Sequence, residues 1–106
     1  MMKVNDWITR WLRHAQIDPW HWQSLVERAD PKGLVDPQGI PEDILELLRR
    51  GRFLLSVAPP GWDRVWLNPS YSGKGRNQEV WDAWNQEYLR QARERLKAKL
   101  EGKEQP

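Results

Sequence analysis

Side-chain catalysis needs a nucleophile, a base or a metal, so histidines and hydroxyls come first. The chain has two histidines and no cysteine. Without cysteine there is no disulfide, thiolate nucleophile, iron–sulfur cluster or Cys-type zinc site. His14 and His21 each fall on the polar side of an expected helix, and neither has Asp or Glu at ligand spacing on a shared face. They could form a two-His site only if the first two helices brought them together, so they read as surface residues and no metal is expected. Ser24, Ser56, Ser70 and Ser72 lie outside any nucleophile-elbow context. Gly73-Lys74-Gly75 lacks the Gly-x-x-x-x-Gly-Lys-Ser/Thr pattern of a phosphate loop, and reads as a flexible basic loop. The expectation is a non-enzymatic protein without a cofactor.

One string carries a motif. In Asn68-Pro69-Ser70-Tyr71, the residues Asn68, Pro69 and Tyr71 match, and Ser70 takes the place of a second proline. The string resembles the Asn-Pro-Pro-Tyr motif of adenine-N6 DNA methyltransferases. The resemblance implies that Asn68 and the Pro69 backbone would hold a target amine and that Tyr71 would stack on the base. It covers about four residues. That family's cofactor-binding α/β sheet needs a glycine-rich turn and more strands than this chain offers. A methyltransferase-like fragment is therefore the remote alternative.

Binding chemistry is better represented. Eight tryptophans fall in a chain of 106 residues with a single Phe. Tryptophan is bulky and amphipathic, and is enriched in cores and at binding hot spots. Trp7, Trp11, Trp22, Trp81 and Trp84 lie on expected inward stripes, and Trp66 is ambiguous because it faces away from Val65 and Leu67. Trp20 lies off its helix's buried stripe, and Trp62 lies at a hairpin tip, so both are candidate partner contacts. Leu96 and Leu100 join them, on a thin apolar stripe with Leu89 and Ala92 and with Arg- and Lys-rich flanks. That stripe could pair with itself as a homodimer, dock on an acidic partner or touch RNA.

The net charge of +2 permits nucleic-acid binding without demanding it. Arg49, Arg50, Arg52, Arg64, Lys74 and Arg76 could form a basic patch, with Trp62 or Tyr71 as stacking surfaces for a single strand. A protein partner is the leading expectation, for a small adaptor, regulator or inhibitor of a larger machine, and nucleic acid is the second.

The elements that must position these residues follow from periodicity. Val4, Trp7, Ile8, Trp11, Leu12 and Ala15 predict a helix over residues 5–16, capped by Asn5 or Asp6. Asp18-Pro19 opens a second helix, to residue 29, whose buried face is Trp22, Leu25, Val26 and Ala29. Residues 30–39 read as a loop of two turns, with Leu34 and Val35 dipping into the core. Pro41 starts a third helix ending at Gly51, with acidic residues in its first turn, basic ones in its last, and Ile44, Leu47 and Leu48 facing inward. A β-hairpin follows, with strands at residues 53–58 and 64–68 and a type II turn centred on Pro60-Gly61. Residues 68–77 form the loosest segment. A last long helix runs over residues 77–100, with Trp81, Trp84 and Tyr88 on one stripe.

The whole is a single mostly helical α+β domain over residues 1–102, with a frayed tail at 103–106. Its order of three short helices, one β-hairpin and one long C-terminal helix is loosely winged-helix-like. A recognition-helix role for residues 41–50 is awkward, because Glu42, Asp43 and Glu46 would meet phosphate. Apolar runs such as Phe53-Leu54-Leu55 are far shorter than the roughly 18 residues of a membrane span. Asp6, Arg10 and Arg13 interrupt any signal-like pattern at the N-terminus. A soluble cytoplasmic protein with no membrane partner is expected.

Overall fold

The described residues open with two short helices whose junction is set by local chemistry. In the computed structural model, which describes residues 6–75 and 77–103, α1 spans Asp6–His14 and α2 spans Pro19–Arg28. α1 ends where Gln16 turns left-handed, at φ 63°, and the Ile17 amide returns to the Leu12 carbonyl at 2.8 Å. Asp18 then caps α2 by accepting the Trp20 amide at 2.9 Å, with Pro19 at the first helical position. The expected start at Asn5 lies outside the described residues, and of the tail expected at 103–106, Lys103 still belongs to the last helix while 104–106 lie outside them.

The loop expected over residues 30–39 contains a strand, β1 (Leu34–Val35). The Asp30 carboxylate builds the turn before it by accepting the amides of Lys32 and Leu34 at 2.8 and 3.0 Å. These bonds, the Leu34 amide's first, hold the Asp30 carboxyl below its ordinary range. Two residues are too few to show an alternating pattern, so periodicity could not reveal β1. α3 (Glu42–Arg50) follows, bounded by Pro41 and Gly51. Its buried face is turned slightly from the expected one. Leu45 and Leu48 are buried, while Ile44 and Leu47 pack at the edge.

β2 (Leu54–Ser56) and β3 (Val65–Leu67) form the expected hairpin, but the sheet has three antiparallel strands in the order β1-β3-β2. Leu34 pairs with Trp66 on one side of β3, and Leu55 pairs with Trp66 on the other. The third strand meets the need that a lone hairpin leaves open. The connecting turn is centred on Pro59-Pro60, one residue earlier than expected, with the Gly61 amide on the Ala58 carbonyl at 3.1 Å.

Alternation along the strands divides the core. Leu54, Val65 and Leu67 face α1, α2 and α3 in the main cluster. Leu55 and Trp66 face the other way, where Trp84 and Tyr88 of the last helix cover them. β2 is consequently buried on both faces. The segment expected to be loosest holds a one-turn helix, α4 (Pro69–Ser72), capped by Asn68 and ended by Gly73 at φ 77°. The last helix, α5 (Gln78–Lys103), is 26 residues long, or about 39 Å.

The single Phe is the hub of the main core. Phe53 is buried, and its ring lies 4.8 Å from Tyr71, 5.0 Å from Trp11 and 5.1 Å from Trp22, centroid to centroid. Of the five tryptophans expected in the core, Trp22 and Trp84 are buried and Trp11 is half-buried against the main cluster, while Trp7 is 47% exposed and Trp81 is 41% exposed. Trp7 and Trp81 are the two that leave the core. Both sit at the rim beside α4. Trp7 meets Tyr71 edge-on at 5.0 Å, and the Trp81 indole donates to the Ser70 hydroxyl. Helical spacing puts a residue on the correct face, but the ends of a face overhang a core this small.

Candidate partner-binding surfaces

α5 is held by three side chains at i, i+4 and i+7, which place them on one face. The Trp84 indole donates to the Trp66 carbonyl at 2.9 Å, the Tyr88 hydroxyl to the Arg49 carbonyl at 3.0 Å, and the Gln91 amide to the Ser56 carbonyl at 2.8 Å. Trp84 and Tyr88 stack at 5.2 Å. Each buries apolar bulk and satisfies its polar end on the body of the domain. The stripe expected from Trp81, Trp84 and Tyr88 is thus shifted: Trp81 leaves it and Gln91 enters.

Beyond Gln91, residues 93–102 are exposed apart from half-buried Arg95, so the end of α5 stands clear of the body as an arm. Leu96 and Leu100 on it are 58% and 54% exposed, and Leu89 is exposed one step earlier. At 100° per residue these three leucines fall within about 40° of one another. Arg93, Lys97 and Lys99 border that stripe, while Glu94 and Glu101 lie further round the helix. Ala92, expected in the stripe, is half-buried.

The two candidate tryptophans part company. Trp20 is 56% exposed, edge-on to His21 at 5.4 Å. Trp62 is half-buried and packs back on the main core. Its strand connection folds the indole inward instead of leaving it at the tip. His14 is exposed, and the buried Nδ1 of His21 has no hydrogen-bond partner among the described residues. No three His, Asp or Glu side chains converge to hold a metal among the described residues.

The expected basic patch divides in two. Arg49 and Arg50 converge on the Glu46 carboxylate, Arg49 through both oxygens and Arg50 at 3.3 Å. The hydrogen bond from Arg49 is the main reason Glu46 is held below the usual carboxylate range, and it raises Arg49 in turn. Arg52 adopts φ 65° and places its guanidinium 5.1 Å from the Tyr88 ring centroid. Arg64 and Lys74 flank the turn before β1 instead, Arg64 near Asp30 and Lys74 beside Gly33. Tyr71 is half-buried and meets Phe53 and Trp7 in T-shaped contacts at 4.8 and 5.0 Å. Arg76 lies outside the described residues.

The residues of the methyltransferase-like string are occupied by folding. The Asn68 oxygen accepts the Ser70 amide at 2.9 Å, and its nitrogen donates to the Arg52 carbonyl at 2.8 Å. Both ends of the amide are engaged, and the side chain is buried. The hydroxyl of Ser56 donates to the Gly61 carbonyl, and that of Ser72 accepts the Lys74 amide at 3.1 Å. Ser24, Ser56, Ser70 and Ser72 make no hydrogen bond to a histidine among the described residues.

A cleft of about 650 Å³ opens between the end of α3, the β2–β3 connection and α5. Val57, Pro59, Pro60 and Trp62 form an apolar wall, and Arg49 and Arg95 face it. Sequence reasoning found Trp62 and Arg49 but missed Val57, Gln91 and Arg95. Gln91 and Arg95 continue the 84–88 face by three and seven residues, a signal hidden because polar residues were not scored as inward. No family model, curated protein or solved structure matches the chain. No helix among the described residues is long and apolar enough to cross a membrane.

Proposed function

We propose that the chain is a non-enzymatic binding module, an adaptor or regulator, that presents the α5 arm to an acidic amphipathic helix of another protein. The observation that carries this reading is the line of exposed Leu89, Leu96 and Leu100, the last two on a helix end that the body does not cover. An isolated helix of about ten residues is marginal in water, and burial of an apolar face supplies the missing stability. Burying each half-exposed leucine would contribute about 1 kcal/mol. The bordering Arg93, Lys97 and Lys99 select the charge of the partner. They also oppose pairing with a second copy, which would set cation against cation. Nucleic acid is the second reading, supported by the same cations and by Arg52 and Arg64, but Arg49 and Arg50 are already occupied by Glu46.

The test is titration of the full chain with an acidic amphipathic helical peptide, followed by calorimetry and by nuclear magnetic resonance of the leucine methyl groups. Binding should be centred on Leu96 and Leu100 and fall about tenfold in the Leu96→Ala, Leu100→Ala double variant. Tighter binding to a single-stranded oligonucleotide, dimerisation of the free chain through the arm, or flotation with anionic vesicles would each sink the reading.

A further inference from the structure

The cleft lies on the face of α5 opposite the leucine stripe, and its charge arrangement is incomplete. Three arginines line it, Arg49, Arg90 and Arg95, against two glutamates, Glu46 and Glu94. Arg49 is taken up by Glu46, and Arg90 by Glu87 at 2.7 Å. Arg95 is half-buried yet makes no hydrogen bond or ion pair among the described residues. Its guanidinium carries five donors in a fixed planar fork that matches a carboxylate. Burial first, and the positive charge of Arg49 second, make its protonated form less favourable than that of a free arginine. A cation left so gains from an incoming anion, because charge-assisted bonds strengthen where water is partly excluded.

The rest of the cleft says what that anion is attached to. Val57 is exposed, and the prolines beside it are rigid, so the facing wall is apolar and costs little entropy to cover. The edge of Trp62 completes the wall. The Gln91 amide at the base is fixed on Ser56 and Glu87, so it does not compete for Arg95. A bare phosphate or a nucleotide backbone would leave the apolar wall unused. Glu94 disfavours a polyanion and admits a single negative charge.

We infer that this cleft is a peptide-carboxylate site, in which Arg95 receives one carboxylate and the Val57, Pro59 and Trp62 wall receives the neighbouring apolar side chain. The carboxylate belongs either to a chain terminus or to an Asp or Glu side chain. The inference is independent of the leucine arm, since it uses the other face of α5.

The experiment is a titration of the ¹⁵N-labelled full chain with three short acetylated peptides. One ends in leucine with a free carboxylate, one is the same peptide amidated, and one is amidated with its only carboxylate on an internal glutamate beside leucine. Binding should shift the Trp62 indole and Gln91 side-chain amide signals for at least one carboxylate peptide, and the peptide that carries no carboxylate should bind at least about tenfold more weakly than that one. Response to the free acid alone identifies a terminus, and response to the internal glutamate identifies a side chain. Arg95→Gln should weaken binding about tenfold or more. Val57→Glu, on an exposed residue, tests the apolar wall without disturbing the core and should weaken it comparably. Binding of the carboxylate-free peptide as tight as that of both carboxylate peptides, no shift with any peptide, shifts confined to the leucine arm, or tighter binding of a decameric oligouridylate in the cleft would overturn the inference.

Discussion

The Tyr88 hydroxyl donates to the Arg49 carbonyl at 3.0 Å, joining the middle of α5 to the last turn of α3. The last carbonyls of a helix have no partner within it. The Arg49 carbonyl accepts the Arg52 amide at 3.0 Å just past the helix, Tyr88 adds a second donor from a distant element, and the Arg52 guanidinium lies over the same ring. Tyr88→Phe keeps the ring and its cation while deleting the donor. It should destabilise the domain by about 0.5 kcal/mol in urea unfolding, because the partly buried carbonyl loses one of its two donors and keeps the Arg52 amide. The Trp84 indole N–H should exchange faster, since the tie next to it on α5 is gone.

Phe53 carries the opposite kind of load, apolar and central. It touches the rings of Trp7, Trp11, Trp22 and Tyr71. Phe53→Ala should cost about 3–5 kcal/mol, from lost burial and the cavity left among rigid aromatics. The near-ultraviolet circular dichroism should collapse with it, as several indoles lose a fixed environment together. Trp7→Ala, at the exposed rim, should cost about 1 kcal/mol. A smaller effect for Phe53 than for Trp7 would mean that the hub is misplaced.

These two residues show what the sequence could reveal. The helices were legible because caps and apolar spacing coincide, as at Asp18-Pro19 before Trp22. Trp20 was separable because it breaks its helix's stripe, and it is exposed. Trp62 was not separable, because the path of a turn decides whether an indole at its end swings out or folds back. β1 was too short to show a period, and its signal lay in the Asp30 side chain instead. The two-sided burial of β2 was partly visible in the run Phe53-Leu54-Leu55, which does not alternate. The cleft was invisible, since it joins residues from three elements and depends on Arg95, which the packing of α5 leaves without a partner among the described residues.

Glu46 gives the domain an acid-sensitive contact. Hydrogen bonds from Arg49, and secondarily from Arg50, hold its carboxyl below the ordinary range. A carboxyl depressed in the folded state binds fewer protons there than in the unfolded chain, so stability falls as pH falls. The contribution is complete above the ordinary glutamate value of about 4.3. It is lost as pH drops from there through the depressed folded value. Glu46 is partly exposed, so solvent screening limits it to roughly 0.5 kcal/mol. Urea midpoints measured from pH 7 to pH 3 should fall less steeply for Glu46→Gln than for the parent, with the curves converging at the acid end. Parallel curves would show that Glu46 does not contribute.

Gln16 stores strain that a single substitution removes. Its φ of 63° lies in the left-handed region, where the Ile17 amide turns back onto Leu12 and ends α1. That conformation costs a residue with a β-carbon roughly 1 kcal/mol, and glycine adopts it freely. The Gln16 side chain is exposed and makes no hydrogen bond among the described residues, so nothing offsets its removal. Gln16→Gly should raise stability by about 0.5 kcal/mol after the greater freedom of glycine in the unfolded chain is counted. Arg52, at φ 65°, relieves the same kind of strain when changed to glycine, but it also loses its place over Tyr88. Arg52→Gly should therefore gain less than Gln16→Gly in thermal unfolding. An equal or larger gain at position 52 would show that the Arg52–Tyr88 contact contributes nothing.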